Sequence, residues 1–450
     1  MDLQGKTVAI AGLGQTALAL AKLLKAKGAE PFVSEARSLD QVAEGASALT
    51  SAGISFETGG HSEAIFTHAD LVVPSPGVSP RIPPIAAAVA AGIPVWSELE
   101  AAFHYCQAPI VAVTGTNGKT TVTELLRVLL AGAGYEVILA GNNRRPFSDA
   151  VLQTPAPDYV VLEVSSYQLE GIARFRPWMG AVLNVSPDHL ARHGTIEAYA
   201  AAKARLFENQ RPGDAAVLNA ADPWVAAMAR QCPGAVWRFS TEGPVEQGLW
   251  LDGETFRCGD TAVGEARDTQ LPGRHNLANV LAALTLIHAG GFPLNKALET
   301  LRTFPGVEHR IEHVATVNGV DFYNDSKSTN IESLRVALAC FRRPVVLIAG
   351  GEGKGEPYEA MRDYVRDHAR YLITLGEEAP RIEQAWGQDI PHERAKDMQD
   401  AVRAAATQAW PGEAVILSPA CASFDMFRNF EERGEVFKQC VRQLQEGVGA

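Results

Sequence analysis

The sequence contains few cysteines, and none of them are paired in the way that metal or redox sites require. Six cysteines are scattered among 450 residues without a C-x-x-C spacing. This arrangement argues against a disulfide framework and against a zinc site, and it favours reduced thiols. We therefore expect a cytoplasmic protein.

Long apolar runs and excess positive charge are also missing. No uninterrupted apolar run reaches about 18 residues, so we expect no membrane-spanning helix. The chain begins with a strand-like pattern, KTVAIAGLG, and lacks the basic start and apolar core of a signal peptide. Its 40 Lys and Arg against 52 Asp and Glu give a net charge of −12. This balance argues against a nucleic-acid partner, which would favour a basic surface.

The remaining composition and its periodicity predict a soluble α/β protein of three domains in series. Hydrophobic residues make up 46% and charged residues 20% of the chain, which is ordinary for a globular protein. Short apolar runs alternate with helical periods in three successive series, as in parallel sheets covered on both faces. We predict a Rossmann-like domain over 1–107, a central P-loop mononucleotide-binding domain over 108–305 and a second Rossmann-like domain over 306–450. We expect residues 232–270 to form a small antiparallel flap within the central domain.

The stretch VAVTGTNGKTT, residues 111–121, predicts a phosphate-binding loop between a strand and a helix. Gly115 and Gly118 permit a tight turn around an anion, and the helix N-terminus and Lys119 attract its charge. The Thr120 hydroxyl is placed to bind a phosphate-bound Mg²⁺. The common P-loop pattern has Gly where this chain has Val113, and a turn that binds nothing is the alternative.

A second glycine motif follows the first strand. Gly12-Leu-Gly14-Gln-Thr-Ala17 fits G-x-G-x-x-A, and Glu35 ends the next strand, where dinucleotide-binding folds place an acid. An NAD dehydrogenase, a nucleotide-sugar binder and a non-binding turn fit this motif about equally. Ser75-Pro76-Gly77 follows a later strand as a second wall of the same predicted site.

Two polar side chains follow strands next to the phosphate loop. Glu163 ends the strand YVVLE, and His189 closes the segment NVSPDH after the next strand. Since ligands of open α/β sheets bind at the carboxyl ends of strands, both are metal-ligand candidates. A surface Glu and a structural His are the alternatives. The residues alone indicate that Lys203 is a solvated helix lysine.

Taken together, these motifs resemble the Mur ligases, the ATP-dependent amide ligases of peptidoglycan precursor synthesis, over essentially the whole chain. The matching stretches are T-G-T-N-G-K-T-T, E-V-S-S-Y-Q, N-V-S-P-D-H-L, A-K-A-R, G-R-H-N-L-A-N, H-R and N-D-S-K-S-T-N. The tail LSPACASFDMFRNFEERG is similar to that of the D-glutamate-adding members.

The resemblance implies that ATP phosphorylates a substrate carboxylate to an acyl phosphate, which an amine then attacks. It implies catalytic roles for Lys119, His189 and Lys203. The implied ATP-binding residues are Gly115, Thr116, Asn117, Gly118, Lys119, Thr120, Thr121, Asn276, Asn279, Arg310 and Asp325. Asn276 can instead be a helix cap.

The resemblance also implies two Mg²⁺ sites. Thr120 and Glu163 would hold one ion, and His189 the other. Lys203 matches the lysine that reacts with CO₂ to form a carbamate, which becomes an anionic oxygen ligand. Carbamylation requires a neutral amine, so we expect a lowered pKa at Lys203.

Two small-molecule substrates follow from the resemblance, and we expect a monomer. UDP-N-acetylmuramoyl-L-alanine would bind at Gly14, Gln15, Thr16, Glu35, Arg37, Ser75, Gly77 and Asn142. D-Glutamate would bind at Lys327, Thr329, Lys354, Ser423 and Phe424, where Lys327 would also assist the phosphates. A turn at Lys354 and a helix cap at Ser423 are the structural alternatives.

Two departures from the family pattern and three other functions remain open. After Asn142 the family usually has Ile-Gly where this chain has Asn143-Arg144, and Ala36 replaces the usual Thr beside Glu35. Another Mur-type or folylpolyglutamate-type ligase with a different amino-acid acceptor is the first alternative, although the D-N-P-R motif of diamino-acid ligases is not found. A non-catalytic nucleotide-binding protein is a second alternative. An NAD oxidoreductase is a third, and it leaves Lys119 and Glu163 unexplained.

Overall fold

The computed structural model describes residues 2–142, 145–353, 355 and 357–448. It divides into two compact units. Unit 1 comprises Met1–Thr269 and Leu277–Phe304, and unit 2 comprises Gln270–Asn276 and Pro305–Ala450. The first two predicted domains lie together in unit 1, and the predicted domain limits remain a prediction.

The β-strands of the described chain, in order, are β1 Thr7–Ala11, β2 Glu30–Glu35, β3 Ser55–Thr58, β4 Leu71–Pro74, β5 Ile110–Thr114, β6 Val137–Gly141, β7 Tyr159–Glu163, β8 Met179–Val182, β9 Ala215–Asn219, β10 Ala235–Ser240, β11 Gly248–Asp252, β12 Thr255–Cys258, β13 Thr261–Glu265, β14 Glu312–Val317, β15 Val320–Asn324, β16 Val345–Gly350, β17 Ala369–Leu375, β18 His392–Arg394 and β19 Ala414–Leu417.

The α-helices are α1 Gln15–Ala26, α2 Ala43–Ser51, α3 Glu63–Thr67, α4 Pro83–Ala90, α5 Glu98–Phe103, α6 Lys119–Gly132, α7 Phe147–Val151, α8 Ser166–Glu170, α9 Leu190–His193, α10 Ile196–Ala204, α11 Pro223–Ala227, α12 Arg274–Ala289, α13 Leu294–Leu301, α14 Ile331–Leu338, α15 Arg362–His368, α16 Ala379–Trp386, α17 Met398–Gln408 and α18 Phe430–Val448. Short 3₁₀ turns lie at Leu39–Val42, Arg205–Phe207, Met228–Gln231, Ala266–Asp268 and Tyr358–Met361.

Unit 1 begins with a four-stranded parallel sheet in the order β3-β2-β1-β4. Its apolar strands pack against α1, whose inward face includes Leu20 and Leu24. The glycine motif lies between β1 and α1, at the carboxyl edge of the sheet. β3 was not predicted, because its sequence SFET is polar and none of its side chains is fully buried.

A nine-stranded sheet fills the rest of unit 1, in the order β13-β12-β11-β10-β9-β8-β5-β7-β6. All five residues of β5 are buried, and β5 pairs in parallel with β7 and β8. The strand ends that carry the phosphate loop, Glu163 and the segment before His189 therefore meet at one edge.

The prediction of a small antiparallel flap over residues 232–270 is confirmed for β12 and β13 and wrong for β10 and β11. β10 and β11 are parallel continuations of the central sheet, and only β12 and β13 are antiparallel. β10 pairs with β9 residue by residue from Ala235 to Phe239. The edge of β9 can accept a further strand because its own backbone groups need partners, so the short strands join the sheet.

Unit 2 contains a six-stranded sheet in the order β14-β15-β19-β16-β17-β18. All pairs are parallel except the hairpin between β14 and β15. The loops after β15, β16 and β19 consequently lie at the same carboxyl edge. None of the helices in the described part of the chain is both long and apolar enough to cross a bilayer.

Candidate active site

The phosphate loop of unit 1 joins β5 to α6 in the conformation that its glycines permit. Gly118 caps α6 with a φ of 86°. A Cβ atom at Gly118 would lie 2.3 Å from Asn279 Oδ1. The loop therefore needs glycine both for its backbone conformation and for the close approach of Asn279. Lys119 and Thr120 start the helix immediately after it.

Two lysine side chains converge on one carbonyl of this loop. Lys119 Nζ donates to the Gly115 oxygen at 2.9 Å and to the Thr116 oxygen at 2.8 Å. Lys203 Nζ donates to the same Gly115 oxygen at 2.9 Å. The loop thus gathers two amines where the sequence analysis placed the phosphates of ATP.

Lys203 is not a solvated helix lysine, so that interpretation of the residues alone is wrong. It lies four residues after Tyr199 on the inward face of α10, its exposed fraction is 1%, and its Nζ is 4.3 Å from the Tyr199 ring centroid. Burial and the nearby charge of Lys119 lower the pKa of Lys203 to about 6, against an opposing effect of Asp188. The amine is therefore mostly neutral at neutral pH.

Thr120 and Glu163 form an oxygen-donor pair beside the loop. Thr120 Oγ1 donates to Glu163 Oε2 at 2.9 Å, and Asn142 Nδ2 lies 3.3 Å from the other carboxylate oxygen. Glu163 is 2% exposed, at the end of β7. A hydroxyl and a carboxylate are donors that Mg²⁺ prefers, so the residues present fit this ion.

The segment from Asn184 to His189 is tied to the phosphate loop. Asn117 N donates to the side-chain Oδ1 of Asn184 at 2.8 Å, and Thr116 N donates to the backbone carbonyl oxygen of Asn184 at 3.0 Å. His189 has a φ of 54°, and its half-exposed ring lies 3.4 Å from Asp188 Oδ2. The imidazole is accessible on the same side of the sheet as Glu163.

Sequence reasoning missed the aromatic and acidic residues around His189. Tyr167 lies with its ring centroid 5.0 Å from that of His189 and 5.6 Å from that of His193. Asp188 opposes the lowering of the Lys203 pKa, and Tyr199 lies under its amine. Tyr167 belongs to the motif E-V-S-S-Y-Q and Asp188 to the motif N-V-S-P-D-H-L. Their place in these motifs was the sequence signal that could have identified them.

The glycine motif after β1 is held by Glu35 and Arg37. Glu35 Oε2 accepts a hydrogen bond from Leu13 N at 2.7 Å and one from Arg37 Nη2 at 2.9 Å. The hydrogen bond from Arg37 is the main reason that the pKa of Glu35 falls to about 2. The Glu35 carboxylate thus shapes the loop, and the half-exposed guanidinium of Arg37 is the more accessible group.

Three of the predicted UDP-substrate residues line one cavity. Gln15, Thr16 and Asn142 border a space of about 550 Å³, together with Lys22 and Arg145. Gly14 is the N-cap of α1.

The other predicted wall lies beside a second cavity. Ser75 Oγ donates weakly to the Gly12 oxygen at 3.4 Å. Ser75 also lines a cavity of about 250 Å³ with Tyr167 and Gln168, and Gly77 is exposed. The structure therefore groups Gln15 and Thr16 with Asn142, and Ser75 with the motif that follows β7.

In unit 2, Arg310 lies near enough to Asp325 for its charge to act on the Asp325 carboxylate. Asp325 is 2% exposed and accepts hydrogen bonds from Ser328 Oγ at 2.5 Å, Ser418 Oγ at 2.8 Å and Ile311 N at 3.2 Å. Burial raises the pKa of Asp325 to about 6. Arg310 Nε is buried and has no hydrogen-bond partner within the described part of the chain.

Four of the five predicted amino-acid site residues lie on two adjacent loops of unit 2. Lys327 and Thr329 follow β15, and Ser423 and Phe424 follow β19. The loops are joined where Ala420 N donates to the Ser328 oxygen at 3.0 Å. Ser423 is 2% exposed and Phe424 is 68% exposed. Lys354 lies outside the described residues.

Asn276 and Arg433 hold parts of unit 2 in place. Asn276 is the third residue of α12, and its Nδ2 donates to the Pro272 oxygen at 2.7 Å. A helix cap would precede the helix and accept from its backbone N–H groups, so this contact does not support the helix-cap alternative. Arg433 was not predicted. Its buried guanidinium donates to Ser326 and to the carbonyls of Cys421 and Ala422.

Comparisons with known proteins agree over the whole chain. Family models match for the Mur ligase MurD-like N-terminal domain at residues 6–97, the Mur ligase middle domain at 113–287 and the Mur ligase glutamate ligase domain at 309–421. These three models in series, with the three α/β sheets, confirm the predicted fold class.

Two curated relatives that cover nearly the whole chain carry the same enzyme name. UDP-N-acetylmuramoylalanine--D-glutamate ligase from Pelotomaculum thermopropionicum is 42% identical, with 99% of each chain covered. The protein of the same name from Koribacter versatilis is 41% identical, again with 99% of each chain covered.

Solved structures share the fold at low identity. UDP-N-acetylmuramate-alanine ligase from Thermotoga maritima has a TM-score of 0.60 at 17% identity and covers 97% of this chain and 99% of its own. The MurF ligase from the same organism, in complex with ADP, has a TM-score of 0.58 at 17% identity, covering 83% and 90% respectively.

Proposed function

Because this chain belongs to the Mur ligase family, we propose that it is an ATP-dependent amide ligase that joins D-glutamate to UDP-N-acetylmuramoyl-L-alanine. The observation that carries the proposal is full-length identity of 42% and 41% to ligases of that name. We also propose that the enzyme is cytoplasmic and monomeric.

The reaction follows from the chemistry of a carboxylate, which is a poor acyl donor. A carboxylate oxygen of the alanyl group attacks the γ-phosphorus of ATP, and the bond to the β-phosphate oxygen breaks to release ADP. The uncharged amine of D-glutamate attacks the acyl carbon, and the tetrahedral intermediate expels inorganic phosphate while the nitrogen loses a proton. The phosphate is therefore the leaving group that the carboxylate lacked.

The phosphate loop and its two amines support the ATP site. Lys119 would contact the β- and γ-phosphates, because its amine already lies at the phosphate loop, where it donates to the Gly115 and Thr116 carbonyl oxygens. Backbone N–H groups of the loop Gly115 to Thr121 would bind the phosphate oxygens. From the family resemblance, we assign Asn276 and Asn279 to the adenine, Asp325 to the ribose and Arg310 to the phosphates.

Thr120 with Glu163, and His189 with Lys203, would hold two Mg²⁺ ions. A bound Mg²⁺ supplies positive charge that neutralises the phosphate oxygens during phosphoryl transfer. We infer that Lys203 is carbamylated: its amine nitrogen attacks CO₂ and loses one proton to form the N-carboxylate. Its burial and the lowered pKa support this, since the attacking amine must be neutral.

The substrates would be held by groups in separate parts of the chain. Gly14, Gln15, Thr16, Glu35, Arg37, Ser75, Gly77 and Asn142 are our assignment for the UDP-linked substrate. For D-glutamate we assign Lys327, Thr329, Lys354, Ser423 and Phe424, where cations and hydroxyls suit two carboxylates.

An acceptor panel tests the specificity. Purified protein would be incubated with ATP, Mg²⁺, UDP-N-acetylmuramoyl-L-alanine and one acceptor: D-glutamate, L-glutamate or a diamino acid. A parallel panel supplies UDP-N-acetylmuramate with L-alanine. We expect mass spectrometry to find a condensation product only with D-glutamate. Equal or faster turnover with another pair would overturn the assignment.

A matched pair of lysine variants links that turnover to the loop. Lys119→Ala should abolish it, because the β- and γ-phosphates lose their cation. Lys296→Ala removes an exposed lysine from α13 of the same unit and should leave it unchanged.

A further inference from the structure

One buried ammonium in unit 2 is shared by three carboxylates that lie outside the predicted site. Lys438 Nζ lies 2.5 Å from Glu308 Oε1, 2.6 Å from Glu435 Oε1 and 3.3 Å from Glu312 Oε1. The Lys438 side chain is 5% exposed. Burial lowers the pKa of Lys438, but hydrogen bonds to Glu308 and Glu435 outweigh this effect and raise the pKa above its ordinary value. The side chain therefore remains charged under all working conditions.

This cluster already contains its cation. Ligand atoms of Glu308, His309 and Glu435 lie within 4.8 Å of one another, as a metal site would require. The Lys438 amine, however, contacts both of those glutamates directly. An ammonium thus occupies the position in which a metal ion would neutralise the carboxylates.

The carboxylates of the cluster belong to the segment that carries Arg310. Glu308 and Glu312 flank it at two residues on either side. Residues next to Arg310 have left-handed backbone conformations, with φ of 62° at His309 and 46° at Ile311. Such conformations are unfavourable for residues with a Cβ and persist only where the surroundings impose them. The bend that presents Arg310 therefore needs an external restraint.

Side chains around His309 extend this restraint. His309 N donates to Glu312 Oε2 at 2.9 Å, and Asn324 Nδ2 lies 2.9 Å from His309 Nδ1. A Cβ at Gly434 of α18 would lie 2.2 Å from His309 Nδ1, so the helix approaches the imidazole as closely as glycine allows. The His309 oxygen accepts from Lys327 N at 3.1 Å. The same network thus reaches the loop that contains Asp325 and Lys327.

We propose that Lys438 is a positioning residue for Arg310. Its ion pairs with Glu308 and Glu312 tie the bent segment that carries Arg310 to α18. This inference rests on the proposed function, in which Arg310 contacts the ATP phosphates. Arg310 Nε is buried and has no hydrogen-bond partner among the described residues, so its orientation decides what it can bind. A guanidinium aims its N–H groups along fixed directions, so a rotated segment would direct them away from a phosphate.

Kinetics of Lys438 variants in the full chain test the proposal. Lys438→Met keeps the length of the side chain and removes its charge. We expect kcat/KM for ATP to fall about tenfold, with the KM for the UDP-linked substrate unchanged, since that substrate is assigned to unit 1. Lys438→Arg should restore most of the loss. Adding Arg310→Ala to Lys438→Met should cost less than Arg310→Ala costs in the wild type, because both act through one group.

Arg370→Met is the matched control for a loss of stability alone. Arg370 forms an ion pair with Glu413 near the start of β17, at the opposite end of the same sheet from Asp325. We expect it to lower the melting temperature without changing kcat/KM for ATP. If Lys438→Met behaves like Arg370→Met, or if its effect adds fully to that of Arg310→Ala, the positioning role is wrong.

A milder variant covers the case in which Lys438→Met does not fold. Glu308→Gln removes the exposed carboxylate that Lys438 Nζ contacts at 2.5 Å on the Arg310 segment, and it leaves Lys438 paired with Glu312 and Glu435. It should weaken binding of a non-hydrolysable ATP analogue, measured by calorimetry, in the same direction as Lys438→Met. Unchanged binding would contradict the proposal. Since calorimetry does not require ligation, a wild type that binds the analogue but makes no amide would refute the proposed function separately.

Discussion

At the scale of single residues, Lys119 and Lys203 direct two amines at the Gly115 carbonyl. Their mutual repulsion lowers the pKa of Lys203, with burial as the larger cause. The arrangement therefore favours a reaction that converts one of the two amines into an anionic group, as carbamylation does. The position of this lysine in an alanine-rich helix gave no hint of burial, and the carbamate came only from family resemblance.

The pKa of Lys203 predicts how activity depends on pH and CO₂. The amine loses its proton as the pH rises through about 6, so it can react with CO₂ above that pH and not well below it. We expect wild-type activity to rise with added bicarbonate at pH 7 to 8, roughly a unit or more above that pKa, and ¹³CO₂ to give a carbamate NMR signal.

Variants of Lys203 supply the control. Lys203→Ala should be inactive and partly restored by acetate in solution, which can supply the missing carboxylate. Lys296→Ala should keep both the activity and the ¹³C signal. A fully active Lys203→Ala enzyme would show that no carbamate is needed.

At the scale of secondary structure, apolar runs predicted the strands that carry the site. β5, β7 and β8 have almost entirely buried residues, so their sequences show the continuous apolar pattern of central parallel strands. β3, β14 and β18 were missed, since edge strands with polar residues lack that pattern. The sequence thus predicted the centre of each sheet better than its edges.

The turn between β5 and α6 gives a prediction that separates two roles of glycine. Gly118→Ala would strain a φ of 86° and place its Cβ 2.3 Å from Asn279 Oδ1. Gly134→Ala has a similar φ of 97° with open space around it. Each should lose about 1–2 kcal/mol of stability from the backbone. Only Gly118→Ala should also weaken ATP binding, measured by calorimetry, by at least about tenfold.

Equal ATP affinity in these two alanine variants would contradict the assigned role of the loop. The comparison is informative because both glycines flank α6. A general loosening of this helix would affect both variants, whereas loss of the phosphate-binding conformation would affect one.

At the scale of the whole molecule, the described residues form three β-sheets within two compact units. Residues 270–276 belong to unit 2 although their neighbours on both sides belong to unit 1. Hydrophobic periodicity cannot predict that residues 270–276 belong to unit 2, because their membership depends on the contacts of a short segment. Motif order predicted the series of domains, and single residues such as Arg433 and Lys438 became meaningful only through their contacts.

The central claim is that ATP activates the carboxylate of the UDP-linked substrate, and oxygen transfer tests it most directly. UDP-N-acetylmuramoyl-L-alanine labelled with ¹⁸O in both carboxylate oxygens would be turned over with ATP, Mg²⁺ and D-glutamate, and the released phosphate analysed by mass spectrometry. We predict that one of the two labelled oxygens appears in the phosphate and the other in the new amide. Amide formation with unlabelled phosphate would contradict the acyl-phosphate route.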